Sequence, residues 1–138
     1  MAFADSGNGR GILAHGSGEQ PASVTLAEDC KAGDVLGYSA GWKRAIGTAG
    51  GVIQPRLIAL ADGKNGGTVP VATHLVVNGY TGATPGDNVY VANGAGNNGK
   101  VTTTAPAGAS GHSNVISGVC LSATEIEFFL NSRADSVA

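Results

Sequence analysis

The sequence predicts an all-β fold, a compact small β-barrel or sandwich of short strands with an extended N-terminal arm. Three observations carry this. Glycine numbers 23 among 138 residues while aromatic residues are 5%, so many positions serve turns and backbone freedom rather than bulky packing. Short apolar runs, several alternating with period two, are cut by Gly, Asn and Pro turn signals. A Gly-Asp pair, Gly33-Asp34 in "KAGDVLGY" and Gly86-Asp87 in "TPGDNVYV", twice precedes an apolar and aromatic run.

Along the chain, residues 1–22 ("MAFADSGNGRGILAHGSGEQPA") are punctuated by Gly, Ser, Asn and Pro, and only Phe3, Ile12 and Leu13 serve as apolar anchors. This segment cannot bury enough surface to hold itself rigid, so it reads either as an arm that grips a neighbouring subunit or as a frayed terminus. A β domain is expected over residues 23–131 and a short tail over 132–138. In "ASVTLAEDC", Val24 and Leu26 alternate with Ser23 and Thr25, the pattern of a half-buried strand. The glycine-broken stretch that follows allows a short helix over residues 48–53 and argues against a long one. "TVPVATHLVVNGY" reads as strand up to Asn78-Gly79, a dipeptide favoured in hairpin turns. Val89 and Val91 flank Tyr90 as in a strand with two unlike faces, and Asn93-Gly94 and Asn98-Gly99 offer turns before Val101.

"TTAPAGASGHSN" reads as a surface loop, and two closing strands are expected over residues 115–121 and 125–130. In the last, Ile126, Phe128 and Leu130 share one face, and Glu125, Glu127 and Phe129 the other. Phe129 therefore falls where a solvent face is expected and is a candidate contact with a partner. The two Gly-Asp pairs imply two equivalent corners: Gly33 and Gly86 supply the turn geometry, and Asp34 and Asp87 accept backbone amide hydrogen bonds as a strand begins.

The formal net charge is −2, without the clustered Lys and Arg that nucleic acid demands, so no direct nucleic-acid partner is expected. No segment approaches the roughly 20 consecutive apolar residues of a membrane span, and the Met1 end lacks signal-peptide features, so synthesis in the cytoplasm is expected. Cys30 and Cys120 stand far apart in no ligand-like spacing and read as reduced, partly buried thiols. His15, His74 and His112 have no carboxylate or Cys at metal-site spacing. No G-x-S-x-G elbow is present, and "GNGRG" and "GTAGG" lack the frame of a phosphate loop. The expectation is a protein with no catalytic residues, cofactor or metal. Trp42 and Tyr38, with Tyr80 and Tyr90, could make a stacking platform for carbohydrate; the favoured reading places such aromatics at a barrel end or in a subunit interface, with Trp42 as a candidate contact.

The segments "EDCKAGDVLGY", "LIALADGKNGGTVPVATHLVVNG", "TGATPGDNVYVANGAGNNGKVTT" and "VISGVCLSATEIEFFLN" resemble, in order over residues 24–130, the small capsid cement or head decoration proteins of tailed bacteriophages. The resemblance implies a non-enzymatic virion protein on the outside of an expanded icosahedral head. Its implied partner is the major capsid protein, and its implied arrangement is a homotrimer bracing adjoining capsomers against internal pressure. Multivalent repetition on a shell lets each copy contribute modestly. The alternative is a lipoyl-like or β-clip binding module, for which the lysine of "ADGKNGG", Lys64, would have to be exposed at a hairpin tip.

Overall fold

Both Gly-Asp pairs build the same hydrogen-bonded corner. The computed structural model describes residues 11–15, 22–130 and 135–138. The amide of Asp34 bonds the carbonyl of Lys31 at 3.0 Å, and that of Asp87 bonds Thr84 at 3.1 Å. Gly33 and Gly86 each stand at φ 90°, the third position of a type II turn, where a Cβ is strained. The corners then latch to a second strand alike. Gly33 N–H donates to Ala59 and Ala59 N–H to Asp34, both at 2.9 Å; Gly86 N–H donates to Cys120 at 2.8 Å and Cys120 N–H to Asp87 at 2.9 Å.

The described residues form eleven strands: β1 (Gly11–His15), β2 (Ala22–Thr25), β3 (Val35–Tyr38), β4 (Trp42–Arg44), β5 (Leu57–Ala59), β6 (Thr68–Ala72), β7 (His74–Asn78), β8 (Asn88–Val91), β9 (Val101–Thr102), β10 (Gly118–Cys120) and β11 (Glu125–Phe129). They form two antiparallel sheets, ordered β2-β6-β5-β3-β4 and β1-β7-β11-β10-β8-β9. Leaving out β1, the two orders are one topology used twice, with β2 to β6 corresponding in turn to β7 to β11. The registers agree residue by residue. Ala59 faces Val71 as Cys120 faces Ile126, and Ile58 faces Ala72 as Val119 faces Glu127. The link also extends beyond the corner, where Arg56 N–H donates to Leu36 at 2.7 Å and Ser117 N–H to Val89 at 2.8 Å.

Period-two alternation gives each sheet a front and a back. In the first sheet Leu36, Ala59 and Val71 share the front, and Val35, Ile58 and Ala72 the back; all six are buried. Their counterparts in the second sheet are Val89, Cys120 and Ile126 in front and Asn88, Val119 and Glu127 behind. The back of the first sheet joins Leu75, Val77, Val89, Ile126 and Phe128 in one core, so the sheets stack front to back. The front of the first sheet is filled locally, by Leu26 and Cys30 with Val24, Trp42 and Leu57. Its two edges also meet, through a Leu26–Trp42 bridge and an Ala27 N–H bond to the Trp42 carbonyl at 2.8 Å. The result is a sandwich whose first sheet curls, not one closed barrel. Each large side chain fully removed from water here, such as Phe128, Ile58 or Leu75, contributes roughly 1.5–3 kcal/mol of apolar burial.

Three expectations are corrected. Residues 48–53 hold no helix: a Gly51 N–H to Thr48 turn and an Ile46–Ile53 bridge occupy the stretch, as its glycines suit. Asn78-Gly79 does not turn a hairpin, because β7 pairs with β11 and β1 and not with β8. The strand expected over 115–121 shortens to Gly118–Cys120, since Ser117 N–H bonds Val89 outside the ladder. Of the expected arm, residues 11–15 form β1 along the outer edge of β7, while Phe3 lies outside the described residues.

Candidate functional site

The β3–β4 hairpin brings one pair of aromatics together. Its turn holds Ala40 at φ 54° and Gly41 at φ 126°, placing Tyr38 opposite Trp42 across the ladder. The rings meet edge to face with centroids 5.3 Å apart. Trp42 packs against the front core of the first sheet, whereas Tyr38 is 64% exposed, so the pair presents a supported aromatic edge to solvent. The four-ring platform is not assembled: Tyr80 is buried in the shared core and Tyr90 lies half-buried on β8.

A second surface is the back of the second sheet. Phe129 faces His74 across β11 and β7, and Val76 and Val119 both face Glu127. His74 Nε2 lies 2.8 Å from a Glu127 carboxylate oxygen, and all five side chains are half-buried. Beside them, the buried side-chain oxygen of Asn78 has no hydrogen-bond donor among the described residues. An acceptor left so costs about 1–3 kcal/mol. Ile12 pairs with Val77, and Leu13 lies at a register irregularity between Ile12 and Ala14, so β1 borders this surface through its backbone.

The corner aspartates differ. Asp34 is buried and its Oδ2 accepts the Lys31 amide at 2.9 Å, as expected of a strand-starting Asp. Asp87 is half-buried in the same turn. Cys30 and Cys120 are free and buried; burial pushes the Cys30 thiol up to about 11 and raises that of Cys120. Both therefore stay protonated near neutral pH, the inert form of a thiol. Among the described residues no three His, Cys, Asp or Glu side chains group as a metal site. His112 instead accepts the Ala49 amide through Nδ1 at 2.9 Å.

Sequence reading missed the seat of the C-terminal residues. Ser113 bridges Val137, Gly111 N–H donates to Ala138 and Ala138 N–H to His112, both at 2.8 Å. Arg56 clamps Asp135 with two bonds of 2.6 Å. The partners stand 79 residues apart, so no local pattern could have paired them.

With this geometry in hand, comparison with known proteins adds no relative: no family model matches the chain, and no curated protein matches it significantly.

Proposed function

We propose that the protein is a structural virion protein that binds the outside of an expanded phage head and braces neighbouring capsomers. The observation that carries this reading is the Gly-Asp corner. It is the motif through which the chain resembles the cement proteins, and it forms one latched unit at the same place in both sheets. The chain spends its glycines on rigid turns and its aliphatics on two stacked sheets, which suits a small brace repeated many times on a shell. Tyr38 with Trp42, and the Phe129 surface, are the contacts offered to the major capsid protein or to sister copies in a trimer.

The test is co-sedimentation with expanded heads that lack the protein, counting copies bound per capsomer. Saturable, symmetry-matched binding supports the reading. Absence of binding to heads of the matching phage overturns it. Tyr38→Ser and Phe129→Ser then report which surface binds: the contacting one weakens binding by about tenfold or more, as loss of an interface aromatic does.

The module reading keeps one favourable observation. Lys64 is strongly exposed where β5 turns into β6, with Gly67 N–H closing the turn on its carbonyl at 2.8 Å. A lipoyl-sized mass increment on Lys64 in protein from its native host would favour the module; an unmodified Lys64 counts against it.

A further inference from the structure

The first Gly-Asp corner forms one wall of a polar cleft of about 600 Å³. The opposite wall is the loop between β8 and β9, held against the first sheet by Gly99, whose carbonyl accepts Val35 N–H at 3.0 Å and whose amide donates to Ala45 at 2.8 Å. The floor comes from the loop between β5 and β6. Four of the chain's eight Lys and Arg residues line this cleft: Lys31, Arg44, Lys64 and Lys100. Asp29, Asp34 and Asp62 line it as well, so its cations exceed its carboxylates by one formal charge.

The duplication supplies an internal control. The same turn, with the same latch, is built at the second corner with Thr84 where the first has Lys31. The loop from Leu60 to Pro70, bearing Lys64, corresponds to the short step from Leu121 to Glu125, which carries no base. The corner turn therefore forms without a lysine at the Lys31 position, whereas Arg44 and Lys64 are tied to Glu28 and Asp29.

The carboxylates of the cleft keep their charge but turn it toward backbone amides and two of the cations. Asp34 accepts the Lys31 amide at 2.9 Å, Asp62 the Ala32 amide at 2.8 Å and Asp29 the Asn65 amide at 2.8 Å. Asp29 also stands 3.6 Å from Lys64, and Glu28 holds Arg44 through its backbone amide at 2.7 Å and Nε at 3.1 Å. The two terminal guanidinium nitrogens of Arg44 and the ammonium groups of Lys31 and Lys100 have no acceptor among the described residues. A planar fork and two ammonium groups lining one cleft are suited to the oxygens of a phosphate.

We propose that this cleft binds a phosphate-type oxyanion through Lys31, Lys100 and Arg44. The site is independent of the virion reading, since it concerns a small anion and neither aromatic surface. The experiment is amide NMR titration of the full chain with inorganic pyrophosphate, with citrate as the carboxylate arm, at constant ionic strength. Saturable shifts confined to residues of the two walls, such as Ala32 and Gly96, are expected with pyrophosphate. Saturation by citrate alone would reassign the cleft to carboxylates and overturn the phosphate proposal. Lys31→Gln and Lys100→Gln should each weaken binding about tenfold, the size of one lost charge-assisted hydrogen bond, while Lys43→Gln, whose side chain is outside the cleft, should not. Arg44→Lys, which keeps the charge and loses the fork, gives an independent reading if a glutamine variant proves unstable. Shifts that grow linearly without saturation, or that the three cleft variants leave unchanged, overturn the proposal.

Discussion

A methyl group placed on Gly118 would run into the carbonyl oxygen of Glu127, and one placed on Gly86 would meet nothing within 4 Å. The two glycines thus serve opposite needs, close approach of strands and a φ of 90°. Gly118→Ala should lower stability by about 1–3 kcal/mol through overpacking, and Gly86→Ala by about 1–2 kcal/mol through backbone strain alone. Urea denaturation separates them from neutral surface variants; an unchanged midpoint for either contradicts its assigned need. The turn glycine was legible in the sequence because its demand is local and marked by the following Asp. Gly118 was not, because its constraint comes from Glu127 on the next strand. The thiols follow the same logic of burial. Cys30, raised to about 11, should react with a thiol reagent at neutral pH only once the protein unfolds, and Cys120 likewise; rapid labelling of the native protein would contradict this.

Among the elements, strands with clean alternation were legible, as in β11, where Ile126 and Phe128 are buried and Glu127 is not. Partnership was less so. Asn78-Gly79 has hairpin chemistry, but β7 pairs along its whole length with β11, and tertiary pairing overrides the local signal. The seat of residues 135–138 depends on the Arg56–Asp135 clamp, whose hydrogen bonds hold the Asp135 carboxyl below its ordinary value of 3.8. A carboxyl so lowered stabilises fully above its unfolded value, and the contribution disappears as pH falls through the lower folded value. Both partners are nearly half-exposed, at 44% and 46%, so the clamp is worth at most about 1 kcal/mol. Asp135→Asn should therefore release the C-terminal residues at neutral pH, seen as faster amide exchange at Ala138, with little change in global stability. In the parent chain the same release should appear only below pH 4. Slow exchange in the variant would show that the backbone bridge at Ser113 suffices.

At the scale of the whole molecule, repetition of the Gly-Asp pair hinted at two equivalent corners, yet the doubled topology was not legible. Corresponding strands share hydrogen bonding rather than residues, as Val35 against Asn88 and Ala72 against Glu127 make plain. Because the shared core draws on both sheets, they should unfold together. Ile58→Ala should cost about 2–5 kcal/mol and leave a single transition seen alike by probes in either sheet, whereas two separated transitions would contradict a shared core. Front-to-back stacking also carries a hazard, since a pile of identical layers has no inherent end. Here the two ends differ. The first layer plugs its own front with Leu26, Cys30 and Trp42, whereas the second carries Asn88 and Glu127 where its twin has Val35 and Ala72, and leaves Val76, Val119 and Phe129 half-buried beside them. The molecule is, in this sense, a two-layer stack with one cap built in, and its uncapped end is the face that carries Phe129.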